Sequence, residues 1–428
     1  MLSLFRFRRA LLPLLLLAVA ACKKNDPAAT ATPDENAPIL NADQTGWERV
    51  GRVPLISPAG IDFANAMTAF DLQLSGTDLR VVYRENRNLS GTDAPAMFKA
   101  TVPAGGVGTG VALRLTDRQP NSGGSTTYNS TYFFKPDSYE AYQAQSASSY
   151  SSGSVATTQV IGETGQVLCT LNGNGGTFSG ATPQMLADGT VLVSNGTFRS
   201  GTANGAVWCH WLAQFKGGRW LQAISQGTYG YSPHLTYSFQ AVRMPSGRLY
   251  GATVLDDGVA IADTMRTTPT AYHSLPVRAF TTFAGYKPGD HIVARVVGNA
   301  IVFTTWSIDS GSATFSAYRW AEGASTVQRL YANVVLPAIG ALQSEVQLDD
   351  NGAAWFFANT TTPSGLPAVA LMRVDAAGMT PVSKPVNLKG LYSFTAPRQL
   401  NGQWYAALGP TFALTGAGNR NMDLVRLK

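Results

Sequence analysis

Along most of this chain apolar residues alternate with polar ones at period two, the spacing of a half-buried strand and not of a helix. One short unit recurs: an alternating strand, a turn built on glycine, then a second short apolar strand. Leu186-Ala187-Asp188-Gly189-Thr190-Val191 is matched by Met244-Pro245-Ser246-Gly247-Arg248-Leu249 and by Val297-Gly298-Asn299-Ala300-Ile301. Asp350-Asn351-Gly352-Ala353-Ala354 and Leu400-Asn401-Gly402-Gln403-Trp404 follow, and Leu74-Ser75-Gly76-Thr77-Asp78-Leu79 is an early copy. Successive turn glycines Gly189, Gly247, Gly298, Gly352 and Gly402 lie 58, 51, 54 and 50 residues apart.

A third apolar stretch with a long polar residue at its centre follows most of these hairpins. Lys99, Gln214, Arg319, Arg373 and Arg426 stand 23, 25, 21, 21 and 24 residues after the preceding turn glycine. A fourth strand then follows a further turn, as in Lys216-Gly217-Gly218-Arg219-Trp220. Two units are irregular. The second has no clear glycine hairpin, although 158–169 reads as a third and fourth strand. In the fourth, Asp256-Asp257-Gly258 makes a tight turn and Val259–Ala262 is the third strand. Third-strand centres at 99, 159, 214, 261, 319, 373 and 426 give seven units of about 54 residues with four short strands each. That period predicts an all-β fold, a seven-bladed β-propeller of four-stranded antiparallel blades over residues 46–428.

The chain ends sharpen the expectation. The seventh unit stops at Lys428, just after its third strand, and the first has a spare strand, Trp47–Ile56, ahead of it. Pairing Trp47–Ile56 with Asp423–Leu427 would close the last blade with the N-terminal strand and hide two sheet edges. The repeat resembles the kelch-like and WD-like propellers at fold level only: kelch glycine doublets and Trp-Asp endings are missing, and a fold carries no function by itself.

Composition agrees. The chain has 43 Gly and only 14% charged residues, with 45% apolar residues. Apolar content suffices for a core and excludes global disorder, while the glycine and sparse charge argue against helical bundles.

Residues 1–21 form a separate class of segment. Arg6, Arg8 and Arg9 precede the apolar run Ala10–Ala21, which is shorter than the roughly 20 residues that span a bilayer. The run ends Val19-Ala20-Ala21-Cys22, which resembles the lipobox of bacterial lipoproteins. The resemblance implies cleavage before Cys22, lipidation of that cysteine and a membrane anchor. Lys23 in place of Asp points to an outer-membrane lipoprotein, with the periplasmic or surface side left open. Residues 22–45, polar and rich in Ala, Thr and Pro, then read as a flexible tether.

Removing the leader takes three of the six net positive charges with it. No basic stripe with interleaved aromatics remains, so a nucleic-acid partner is not expected. Cys169 and Cys209 are the other thiols; an oxidising envelope permits them to pair, and two buried thiols are the alternative.

The sequence shows no nucleophile elbow, zinc-protease, Cys-x-x-Cys or Walker pattern, so no catalytic set or cofactor is assigned. His210, His234, His273 and His291 fall in different units without metal spacing, and no metal is expected. Ser307–Phe315 resembles the Asp-box of sialidase-type propellers, but it is one residue too long and sits between strands two and three. The candidate ligand patch is Tyr229, Tyr231 and His234 of one inter-blade segment, with Trp306 and the Arg84–Glu85 pair. Such rings can stack on sugars or bury peptide side chains, and they equally suit the seams between blades.

Three functions stay open. The first is a lipid-anchored binding propeller for a protein or glycan, acting as a monomer. The second is a glycan-active hydrolase or lyase, for which Glu85, Glu140, Asp309 and Glu345 are the acids that would have to converge. The third is a subunit of an envelope assembly complex.

Overall fold

A computed structural model describes residues 46–428 apart from 55–62, 65–66, 86–95, 117–125, 136–137, 150–155, 174–176, 179–181, 187–189, 200–206, 217–218, 228–235, 256, 264–276, 310–311, 337–343, 362, 366, 384–385, 388–391, 396, 411 and 414–420. Among the described residues every helix or strand is a strand. Six sheets are each cut from one continuous stretch of chain, and each has a four-stranded antiparallel path.

The first sheet is Met67–Ser75, Asp78–Glu85, Ala96–Val102 and Val111–Thr116. The second is Thr126–Phe134, Ala141–Ser149, Ala156–Gly162 and Val167–Gly173. In the third, Thr177–Phe178 and Thr182–Met185 both pair with Val191–Arg199, followed by Val207–Lys216 and Arg219–Gly227. Thr236–Arg243, Leu249–Leu255, Gly258–Asp263 and Val277–Thr282 make the fourth. His291–Val297, Ala300–Asp309, Ser312–Ala321 and Gln328–Leu336 make the fifth. The sixth runs Gln347–Leu348, Ala354–Thr361, Pro367–Asp375 and Gly378–Pro381, with Val386–Asn387 also on Pro367–Asp375.

The remaining large sheet departs from the expected four-stranded form. It has six strands and draws on both ends of the chain. Tyr392–Phe394 and Arg398–Leu400 share the edge of Gln403–Pro410, which pairs with Asn421–Leu427. Trp47–Pro54 then pairs antiparallel with Asn421–Leu427, in the register Trp47↔Leu427 and Arg52↔Asp423. The anticipated closure is therefore present, and Gly106–Val107, from the connection between the third and fourth strands of the first sheet, adds a short parallel strand outside it. The uniform set of seven is thus corrected to six single-segment blades and one composite sheet. The reason is local: among the described residues Trp47–Pro54 and Gly106–Val107 occupy the outer edge of Asn421–Leu427, where the other sheets carry a strand of their own stretch.

Neighbouring sheets pack face to face in chain order. Val82, Met97 and Leu115 of the first meet Tyr132, Phe134 and Ala141 of the second. Ala141–Ser149 contacts Thr177–Phe178 of the third, and Leu186 there meets Phe239 and Ala241 of the fourth. Tyr250 and Ile261 meet Phe303 and Trp320, and Phe315 meets Phe356. Trp355 and Leu371 of the sixth then meet Trp404 and Trp47 of the composite sheet, whose Tyr405 and Met422 meet Leu72 and Tyr83 of the first. The packing closes on itself, which makes the fold a β-propeller.

This arrangement changes the alternation read from the sequence. The second and third strands of the fourth sheet, Leu249–Leu255 and Gly258–Asp263, are buried at every position, while its outer strand Val277–Thr282 is largely exposed. A radially set sheet is covered on both faces, so its middle strands lose the polar face that period two assumes.

The repeating glycine turns are one device. Leu186, Met244 and Asp349 each donate their backbone N–H to a carbonyl four residues on, at 2.8, 2.8 and 3.1 Å. Gly247 and Gly352 occupy the left-handed region in this turn, at φ of 83° and 82°, where other residues are strained. The second sheet makes its turn without glycine, through Lys135 N–H donating to Glu140 O at 3.0 Å, which is why the sequence pattern skips it. All seven anticipated third-strand centres fall inside third strands.

Candidate functional site

Strand direction gives the ring two unlike faces. Each second strand leaves the tight hairpin that follows the first strand, so all of these hairpins share one face. The connections between second and third strands, and those between sheets, share the other. Trp47 lies opposite Leu427, the end of a third strand, and Lys428 N–H donates to Gly46 O at 2.9 Å. The chain therefore enters the ring on the hairpin face, and the longer connections lie opposite.

Tyr229, Tyr231 and His234, like Cys22, lie outside the described residues. Arg84 and Glu85 end the second strand of the first sheet and Trp306 lies in the second strand of the fifth, so all three are strand residues. Those two sheets are not neighbours in the ring, and the fold does not gather this part of the predicted patch. Glu85 is fully buried, and its charge joins burial in pushing the neighbouring Tyr83 hydroxyl far above its ordinary pKa. The Trp306 ring is stacked on His291 at 5.2 Å and on Phe315 at 6.1 Å, and Phe315 on Phe356 at 5.1 Å. It is a seam residue between the fifth and sixth sheets. Loss of hydration lowers the His291 pKa against the opposing charge of Asp290.

The acids that would have to converge are dispersed. Glu140 accepts the Tyr142 hydroxyl proton at 2.8 Å on the second sheet. Asp309 is exposed at the end of a strand of the fifth, and Glu345 is exposed just before the sixth. Among the described residues no three His, Cys, Asp or Glu side chains gather as a metal site. Asp309↔Ser312 and Ser307↔Thr314 pair across a hairpin, so the segment resembling an Asp-box joins strands two and three as a turn.

Arg84 does belong to a polar region that the sequence reading missed. It ends the strand facing the second sheet, with its guanidinium 5.8 Å from the Phe70 ring centroid, and Phe70 lies 4.7 Å from Tyr132. Across the seam, Ser130, Gln145 and Gln159 are direct partners on three adjacent strands and so share one face. Tyr132, Gln143 and Ile161 form the next row. Gln143 donates from Nε2 to Ser130 Oγ at 3.2 Å and to Tyr132 Oη at 3.0 Å. Gln143 is fully buried and Gln145 is 6% exposed, and Gln145 Nε2 has no hydrogen-bond partner. The seam between the fifth and sixth sheets is filled largely by apolar side chains such as Phe356, Ala358 and Met372, and its buried Thr304 is hydrogen-bonded to Gly352 O. A signal existed in Tyr142-Gln143-Ala144-Gln145, where amides alternate with other residues at the period of a strand.

Inner strands are joined around the axis by side chains. Arg398 of the composite sheet reaches Asp71 of the first at 3.0 Å and Gln347 of the sixth at 3.0 Å. Asp71 also accepts Phe134 N–H of the second at 2.9 Å. Arg295 donates to Leu348 O at 3.0 Å, and Gln240 accepts Ala294 N–H at 2.6 Å. A cavity of about 320 Å³ opens at the hairpin end of these strands, lined by Leu186, Arg243, Met244, Pro245 and Val296.

No protein-family model matches the sequence, and no curated protein matches it. Among solved structures, a protein of unknown function from Dyadobacter fermentans DSM 18053 is 10% identical over 90% of this chain and 100% of its own, with a TM-score of 0.40. A polysaccharide lyase is 8% identical over 84% of this chain and 90% of its own, also at 0.40. The β-propeller domain of the Trilobed protease from Pyrococcus furiosus is 10% identical over 81% and 91%, at 0.38.

Proposed function

We propose that this chain is a lipid-anchored recognition platform of the outer membrane, held through Cys22 and the 22–45 tether, that binds a protein or glycan partner on its loop face. In this reading the composite sheet closes a monomeric ring. The observation that carries the proposal is the place of chain entry. Trp47 starts its strand on the hairpin face, beside Leu427. A membrane tether attached there leaves the opposite face, with the longer connections, turned toward other molecules. Loops on a rigid scaffold are where recognition concentrates.

Two measurements test it. Cys22→Ser in the full chain is expected to move the protein from the membrane to the soluble fraction; retention in the membrane would overturn the anchor. A photo-crosslinker at Asp309, exposed on the loop side, is expected to capture an envelope component in cells, and one at Ser246, in a hairpin turn, to capture none. Capture only from Ser246 would reverse the orientation and overturn the platform.

A further inference from the structure

We propose that the cleft between the first and second sheets, built on Gln143 and Gln145 with Ser130, Phe70 and Arg84 at its rim, binds a polyhydroxylated sugar ring. The proposal rests on the reading of the ring as a recognition platform and names the ligand class of one part of it.

Three observations meet here. The first is burial of the wrong chemistry. A seam between propeller sheets is packed by apolar side chains, yet Ala141–Ser149 turns Gln143 and Gln145 into it, fully buried and 6% exposed. A buried amide without its hydrogen bonds costs about 1–3 kcal/mol, so such residues are a burden unless something bonds them. The second is that Gln145 Nε2 has no partner in the protein, although the side chain is more than nine-tenths buried. The third is the surround. Phe70 supplies a half-buried aromatic face, and Ser130, Gln159 and Arg84 are half-buried, so the polar row reaches the surface.

The chemistry fits a sugar closely. A carboxamide carries donor and acceptor side by side, matching neighbouring hydroxyls that do the same. An aromatic face takes the C–H side of a pyranose. A guanidinium beside it adds a fixed fork of donors that suits a ring carboxylate.

The test uses the full chain in detergent and four probes: glucose, galactose, glucuronate and galacturonate, each titrated by calorimetry. At least one is expected to bind, and Gln145→Leu is expected to weaken it tenfold or more. The melting temperature of Q145L should be unchanged or higher, because the variant removes an unbonded buried amide. A purely structural glutamine would give the opposite, a lower melting temperature with unchanged sugar affinity. Gln145→Glu keeps the shape and removes the amide donors, so it reads the same loss of affinity if Q145L does not fold. Binding by none of the four sugars, or binding equal to wild type in the folded variants, overturns the proposal. Crosslinking from Asp309 that survives in Q145L leaves the platform standing and removes only this site.

Discussion

The Asp423 carboxylate, fully buried, accepts the Arg52 Nε–H at 3.2 Å across the register that joins the two ends of the chain. Arg49 reaches the same carboxylate at 2.7 Å. Three residues beyond Asp423, Arg426 lies opposite Glu48 and donates to its carboxylate, with Lys428 at 3.2 Å from the other carboxylate oxygen. The seam thus alternates sign in one register. A slip by one residue would face the buried Asp423 with glycine or valine, so charge fixes the register of closure.

Asp423→Ala should therefore open the seam. Both arginines keep a third or more of their side chain in water, so the loss falls at the lower end for a broken buried pair, about 3 kcal/mol. Urea unfolding followed by tryptophan fluorescence reads it, since Trp47 lies in the closing strand. Stability equal to wild type would mean that the backbone ladder alone holds the ends.

The outer pair carries a pH signature. The Arg426 guanidinium, with Lys428, holds the Glu48 carboxyl below its ordinary value of 4.5. A depressed acid contributes stability that is present above its unfolded pKa and is lost as pH falls through the folded value. Melting temperature should drop below about pH 4.5, and Glu48→Gln should flatten that drop while lowering the plateau near neutrality. A variant with the wild-type acid limb would remove Glu48 from the seam.

Gly51 marks the tightest approach in the closing strand. A Cβ there would stand 2.4 Å from Val102 Cγ1 of the first sheet. Gly51→Ala should destabilise by about 2 kcal/mol through overpacking. Combined with Val102→Ala, which removes the obstructing methyl, the two changes should couple favourably by about 1 kcal/mol. Strict additivity in a denaturation cycle would contradict the contact.

The inner ring is closed by a different pair. Asp71 keeps two backbone donors, Leu72 N–H and Phe134 N–H, when Arg398 is lost, but Asp71→Ala strands all three partners. Arg398→Met is expected to cost about 1 kcal/mol and D71A about 3 kcal/mol. Equal losses in thermal unfolding would show that the ion pair, not the backbone bridge, joins the sheets.

His291 should titrate below 6.5 in the folded protein, because stacking on Trp306 removes water from the imidazole. A base with a lowered pKa is stabilising when neutral, so this contribution is complete above its unfolded pKa and fades as pH falls through the folded value. NMR titration of the ring protons checks it, and Trp306→Ala should return the midpoint toward 6.5. A midpoint above 6.5 in wild type would refute the desolvation argument.

The amino-acid sequence by itself determined the repeat, because hairpin glycines and alternating apolar residues are local necessities. The turn at Gly247 needs the left-handed region that glycine reaches without strain, and the third-strand centres follow at a near-constant distance. The expected pairing of Trp47–Ile56 with Asp423–Leu427 is realised over Trp47–Pro54 and Asn421–Leu427. Tertiary structure alone decided what the strands face. Trp306 looked like a binding platform and became a seam residue, because strand pairing placed His291 and Phe315 beside it and the sixth sheet packed against that face. Gln143 and Gln145, polar residues at alternate positions of a strand, became buried residues of the second sheet, because burial belongs to a pair of sheets and not to a strand. Local periodicity encodes which residues can pair; only the closing of the ring assigns each face to a neighbour, to solvent or to a ligand.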